Sequence, residues 1–237
     1  MPENPTHISK NTDFLKGSII LFYKPIGWTS FDLVKKVRNI IKLHKNIKKI
    51  KVGHAGTLDP LAEGLLIICT GKFTKKISLI QSEKKLYTGE ITLGATTPSY
   101  DQETDIDKYF NISHITKELI HHTSKKFHGE IMQKPPVFSA LKQNGVRLYK
   151  EARKGKIINV KSRPVTIHNF KICKINMPSF TFEVCCGKGT YIRSLAHDFG
   201  RILNSGAYLS SLKREGIGNY LLSEAYTIQK FEKSMIE

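Results

Sequence analysis

Cysteine is scarce in this chain and poorly placed for a metal: Cys69, Cys173, Cys185 and Cys186 include no C-x-x-C pair. Cys185 and Cys186 lie in an alternating pattern, so as strand neighbours they point to opposite faces and do not easily bridge each other. No metal centre is expected, and a reducing cytoplasm is the expected setting. Also missing are an apolar run of about eighteen residues, a polybasic segment beside an amphipathic anchor, a lipidation signal and the apolar core of a secretory signal. No membrane partner is expected. Acidic residues are the other shortage. Twenty Asp and Glu stand against 38 Lys and Arg, a formal net charge of +18, a field that gathers polyanions and makes nucleic acid the leading partner.

What is present is ordinary for a folded chain, with 40% hydrophobic and 24% charged residues in 237, enough to bury a core in one large or two small domains. The side chains able to do chemistry concentrate in Gly53-His54-Ala55-Gly56-Thr57-Leu58-Asp59-Pro60-Leu61-Ala62-Glu63-Gly64-Leu65-Leu66. Glycine and proline make this a shaped loop. It runs into Leu65-Leu66-Ile67-Ile68-Cys69, which reads as a buried strand. An Asp before Pro is by itself common turn chemistry, and a lone loop histidine such as His54 is by itself a satisfied one.

Residues 1–16 read as a loose polar leader, and 17–23 as a strand ended by the turn Lys24-Pro25-Ile26-Gly27-Trp28. Thr29-Ser30 offers a helix N-cap, Asp32 suits the first turn, and Phe31, Val34, Val37, Ile40 and Ile41 recur at helical spacing, with Lys35, Lys36, Arg38 and Lys42 outside. Residues 71–76 with Ile77, Leu79 and Ile80 predict a second helix. Over 86–93 the pattern alternates and puts Tyr87, Ile91 and Leu93 on one face; read alone, Tyr87 is a buried aromatic.

A polar loop over 94–107 carries Asp101, Glu103, Asp105 and Asp107. Helical spacing returns over 112–127 with His114, His121 and His122, which lack a convergent ligand set and read as surface residues. From 128 to 156 a proline-ruled loop leads to a short basic helix over 147–155. Its basic groups interleave with Phe138 and Tyr149, which suits an arm tracking phosphates and bases as well as a solvated loop. Residues 164–175 and 179–186 predict an antiparallel pair with Phe180, Phe182, Val184 and Cys186 inward. Gly187-Lys188-Gly189-Thr190 then turns into a helix bearing Ile192, Leu195, Ala196, Phe199, Ile202 and Leu203. The turn lacks the spacing of a Walker loop, so no nucleoside triphosphate site is read there.

Residues 53–66 resemble, almost position for position, the motif of the TruB family of pseudouridine synthases, enzymes that isomerise a uridine in the T loop of transfer RNA. Lys24 to Ser30 is similar to the family's Lys-Pro-x-Gly-x-(Thr/Ser)-Ser turn, and Lys85-Leu86-Tyr87 to the setting of its active-site tyrosine. Leu93-Gly94-Ala95-Thr96-Thr97 with Asp101 follows its next pattern, without the glycine often found just after. Pro135 to Lys142 resembles the Pro-x-x-(Tyr/Phe)-Ser-Ala-Leu-Lys signature of its thumb insertion, residues 188–193 its Lys-Gly-Thr-Tyr-Ile-Arg motif, and Leu212-Lys213-Arg214 its late Leu-Arg-Arg segment. The likeness covers roughly residues 17–225.

The resemblance implies an α+β fold, with a mixed, mostly antiparallel sheet, flanking helices and a thumb insertion over about 128–156 in a catalytic domain of residues 17–237. Many family members continue into a small C-terminal RNA-binding domain of the PUA type; none is expected here. It also implies Asp59, Tyr87 and Arg193 as catalytic residues: Asp59 the carboxylate, Arg193 the guanidinium that keeps it charged, and Tyr87 a stacking ring with a polar tip. His54 would fill the space the extruded uridine leaves, Tyr191 and Leu212 would line the pocket, and Lys24 would sit at its rim. Read alone, Arg193 is an ordinary helix-surface arginine. No cofactor is implied, because breaking the bond from ribose C1' to uracil N1 and rejoining through C5 needs no redox step. The expected partner is the T-arm stem-loop of tRNA, bound by a monomer without an obligatory protein partner. A guide-dependent subunit acting on ribosomal RNA and a non-catalytic RNA chaperone or binding module are the alternatives.

Overall fold

The computed structural model describes residues 4–139, 141–143, 146–148, 154 and 159–236. The chain divides into two compact units, Met1–Tyr87 with Leu212–Glu237, and Thr88–Ser211. Two strands, β4 (Lys85–Leu93) and β12 (Ala207–Ile217), contribute residues to both units.

In the first unit, β1 (Ile19–Lys24) runs antiparallel to β3 (Glu63–Thr70), from Ile19 opposite Cys69 to Lys24 opposite Gly64. The other edge of β3 is shared. Its end pairs with β2 (Val52–His54), and its start pairs in parallel with β12, Lys213 opposite Glu63 and Arg214 opposite Gly64. Alternation explains the unbroken apolar run in β3. Leu66 and Ile68 join Ile20 and Phe22 in one core, while Leu65, Ile67 and Cys69 join Ile19 and Leu21 in another.

The first core is covered by α1 (Ser30–His44), whose N-terminus is closed by a capping box. Thr29 Oγ1 accepts from the Asp32 N–H at 3.0 Å and Asp32 Oδ2 accepts from the Thr29 N–H at 3.0 Å. Its buried stripe is Leu33, Val34, Val37, Ile40 and Ile41, whereas Phe31, expected inside, is 62% exposed. The stretch expected as a loose leader is docked: Ile8 and Phe14 are buried in this core, and Phe14 packs on Phe231 of the C-terminal helix, Ile228–Ser234. The second expected helix is a 3-10 turn, Gly71–Lys76, followed by α2 (Ile77–Ser82), with Ile80 buried and Leu79 exposed.

The second unit holds the expected antiparallel pair. Strand β10 (Arg163–Asn176) lies against β11 (Ser179–Cys186), with Phe180, Phe182, Val184 and Cys186 buried as expected. Residues 129–133, expected as loop, form β7 (Gly129–Gln133), because β10 is long enough to offer its first residues as a partner edge. Rings of Phe127, Phe170, Phe180, Phe182 and Phe199 pack together under α4 (Ile192–Ile202). Ile202, expected among the inward residues of α4, is 38% exposed. α3 (Lys117–Lys125) leaves His121 and His122 exposed, and His114 places Nε2 2.8 Å from the Leu203 carbonyl. Two short ladders complete the strands of this unit: β5 (Ala95–Thr96) with β6 (Lys108–Tyr109), and, in the thumb stretch, β8 (Lys142–Gln143) with β9 (Val146–Arg147). Most of the basic helix expected over 147–155 lies outside the described residues.

Candidate active site

The loop that carries Asp59 leaves β2 at His54 and enters β3 at Glu63. Its main chain is tied nearly residue by residue. The Ala55 N–H donates to Ile67 O at 2.9 Å, the Ser30 hydroxyl donates to Leu58 O at 2.9 Å and accepts from Leu58 N–H at 2.8 Å, the Ala62 N–H donates to Asp59 O at 3.1 Å, and the Gly27 N–H donates to Pro60 O at 2.8 Å. The Lys-Pro-Ile-Gly turn, the cap of α1 and the loop are therefore one hydrogen-bonded body. A side chain projecting from such a loop is positioned before any substrate arrives.

Two more loop carbonyls, together with that of Leu65 in β3, are held by a residue that the sequence pattern did not single out. Arg214, 1% exposed, donates from Nε to Leu65 O at 2.8 Å, from Nη2 to Gly56 O at 3.0 Å and from Nη1 to Thr57 O at 3.4 Å. The only signal for it in the sequence is its place in the Leu212-Lys213-Arg214 segment, where attention falls on Leu212. A charged residue in a strand ordinarily faces water.

Among the expected site residues, Lys24, His54, Asp59, Tyr87 and Leu212 all belong to the first unit. Asp59 is half-buried at the tip of the loop. Lys24 is not at a rim: it is fully buried, and Nζ donates to Pro25 O at 2.8 Å and Trp28 O at 2.7 Å. The turn curls its carbonyls around the ammonium in place of water. Burial pushes the Lys24 pKa down to about 8, with the charge of Asp59 working against that and the charge of Arg214 adding to it. Burial likewise lowers the pKa of His54, which favours a neutral imidazole; a backbone hydrogen bond at Gly56 works the other way. Tyr87 is 8% exposed on β4 and Leu212 half-buried on β12. Tyr23 donates a hydrogen bond to Glu63, which, ahead of burial, raises the phenol pKa.

Tyr191 and Arg193 belong to the second unit. Arg193 is no surface arginine. It is 4% exposed in the first turn of α4, with Nε 3.6 Å from Asp101 Oδ2 and Nη1 donating to Ser99 O at 3.3 Å. Asp101, expected as one of a loop's acidic cluster and as part of the pattern that follows Leu93, is buried with it. Tyr191 precedes the helix and is fixed through its backbone by the buried amide of Gln133, which donates from Nε2 to Tyr191 O at 3.0 Å and accepts from Tyr191 N–H at 2.8 Å. The Arg163 guanidinium lies 5.2 Å from the Tyr191 ring centre.

Among the described residues no group of three His, Cys, Asp or Glu side chains converges as metal ligands would, and no helix is long and apolar enough to cross a membrane. The four cysteines are free. What the first unit offers is a carboxylate on a fixed loop, within electrostatic reach of a buried ammonium, and a neutral-leaning imidazole where the loop leaves β2. That set suits nucleophilic or proton-transfer chemistry on a neutral ring.

Residues 42–192 match the family model described as TruB family pseudouridylate synthase (N terminal domain). The tRNA pseudouridine synthase B of Flavobacterium johnsoniae is 54% identical over 224 residues, covering 94% of this chain and 98% of that protein. That of Phocaeicola vulgatus is 47% identical over 219 residues, covering 92% and 93%. Among solved structures, a chain of a Cbf5-Nop10-Gar1 complex superposes with a TM-score of 0.70 at 27% identity, over 93% of this chain and 54% of that one.

Proposed function

This chain belongs to the TruB family of pseudouridylate synthases and has their α+β fold, and we propose that it converts a uridine of the tRNA T loop, U55, to pseudouridine with Asp59 as the reacting carboxylate. The observation that carries this is the Asp59 loop itself. Its backbone is bound at Ala55, Gly56, Thr57, Leu58, Asp59 and Pro60, so the carboxylate stands at a fixed point, and holding a group in place is what speeds a reaction between bound partners.

The reaction breaks the C1'–N1 bond, turns the freed uracil, forms a C1'–C5 bond and releases the C5 proton. Every atom but that proton and its replacement at N1 stays in the nucleotide. An ionised Asp59 can act by adding to the ring, by adding to the sugar or by promoting elimination across the sugar, and Lys24 offers it a buried positive charge. Tyr87, with a ring and a hydroxyl, is suited to stack on the extruded base, and a neutral His54 to take its place among the bases left behind. Tyr191 and Leu212 are assigned to the pocket lining. The role the family likeness gives Arg193 is that of counter-charge to the carboxylate; its burial and the Asp101 contact support a fixed guanidinium rather than a mobile one.

Affinity comes from charge. The +18 field and the exposed lysines of α1, Lys35, Lys36 and Lys42, suit phosphates, so binding weakens as salt rises. The enzyme is taken to act as a monomer in a reducing cytoplasm, without an obligatory protein partner. The test is release of tritium from a T-arm stem-loop whose target uridine is tritiated at C5. Wild type releases it and Asp59→Ala does not. No release by wild type from any T-loop RNA would leave a binding module instead.

A further inference from the structure

We propose that Arg214 is a positioning residue for the isomerisation: its guanidinium fixes the main chain of Gly56 and Thr57 and through it sets the place of the Asp59 carboxylate. This rests on the reading of Asp59 as the reacting group. Three carbonyls from two segments, Gly56, Thr57 and Leu65, meet one buried guanidinium. The planar fork is what allows the three to be held together; a single ammonium has no such geometry.

Two glycines of the motif border the same residue, and at Gly64 the space beside it is too small for a side chain. Gly64, at φ +108°, stands opposite Arg214 in the parallel pairing, and a Cβ there would lie 2.4 Å from the Arg214 carbonyl oxygen. Gly56, at φ +103°, would place a Cβ 3.6 Å from Arg214 Nη1. The backbone of β3 thus comes close enough to β12 for the arginine to reach under the loop.

Stability alone is a poor reason for this arrangement. A buried charge loses its hydration, and an apolar side chain of similar volume often packs at no cost or with a gain. A guanidinium kept at such a place, with its contact at Thr57 only two residues along the chain from Asp59, is accounted for by the loop it holds.

The test compares Arg214→Lys and Arg214→Met with wild type in three measurements: single-turnover tritium release, stoichiometric binding of the T-arm stem-loop, and hydrogen exchange of the amides over 55–62 in the RNA-free protein. Binding stoichiometry reports the folded fraction. Expected are a single-turnover rate about 100-fold lower in Arg214→Met and about 10-fold lower in Arg214→Lys, dissociation constants within about three-fold of wild type, and loop exchange faster by at least about ten-fold while α1 keeps its protection. A wild-type rate in Arg214→Lys, or a loss in Arg214→Met that only follows the folded fraction down, overturns the proposal. Should Arg214→Met not fold, Arg214→Lys decides. Inactivity of the wild type would instead remove the reading of Asp59, and unchanged loop exchange would then still reject the positioning role.

Discussion

The Ser30 hydroxyl and the peptide groups of Leu58 form a closed pair of hydrogen bonds, 2.9 Å to the carbonyl and 2.8 Å from the N–H, one residue before Asp59. A serine at the first residue of α1 thus does for the loop what a neighbouring strand would do, and both partners are buried. Ser30→Ala strips Leu58 of both bonds in a place water does not reach. Expected are a loss of about 1–3 kcal/mol in urea unfolding and a single-turnover rate about 10-fold or more below wild type, with RNA affinity retained. Equal rates in the two proteins would mean that the loop keeps its shape without the serine.

Asp101 and Arg193 pose the same question in the second unit, with charge. Asp101→Ala takes from a 4%-exposed guanidinium the carboxylate it faces at 3.6 Å, and weakening the compensation of a buried charge is costly, on the order of 3 kcal/mol. Asp101→Asn, which keeps an oxygen at the site, is expected to lose less. Denaturant midpoints of the three proteins check the order wild type, Asn, Ala. Arg193→Met combined with Asp101→Ala should recover part of the loss, since both charges are then gone.

Elements with a clean period were legible in the sequence. β3 showed as an apolar run because it is buried on both faces, and β10 with β11 showed by alternation. Elsewhere competing forces decided. Phe31 stands three residues before Val34, but at 3.6 residues per turn the stripe of Leu33, Val34, Val37, Ile40 and Ile41 is centred on Val37 and Phe31 lies about 120° away from that centre, so it faces outward. Ile8 and Phe14 stand singly in a polar stretch and have no period to reveal them; only the core groove beside Phe231 explains their burial. For the site, the unbroken motif led to His54 and Asp59, which the fold places in one unit with Lys24. Arg214 was hidden because the burial phase of β12 changes along the strand, from Ala207 and Leu209 to Arg214 and Gly216. A long-range clamp made of main-chain carbonyls leaves no residue pattern of its own.

Lys24 makes the site sensitive to alkali in a direction that can be worked out. Its folded pKa is about 8, set mainly by burial, against an ordinary 10.5. Below about pH 8 both folded and unfolded chains hold this proton, so its contribution to stability does not change there. Between about 8 and 10.5 the unfolded chain still binds the proton that the folded chain has released, and protonation no longer has to be forced on a buried amine. The Lys24 contribution to folding stability therefore rises with pH across that window, by about 3 kcal/mol. Most other lysines are exposed, so comparison with Lys24→Met isolates the effect: the stability of wild type minus that of the variant, from urea unfolding at pH 7, 8.5 and 10, should increase from the first to the last. The same proton carries the positive charge beside Asp59, so the wild-type single-turnover rate should fall over the lower part of that window while the protein grows no less stable. A stability difference that stays flat from pH 7 to 10 would mean that Lys24 keeps its proton in the fold, and that its two carbonyl partners at Pro25 and Trp28 outweigh the loss of hydration.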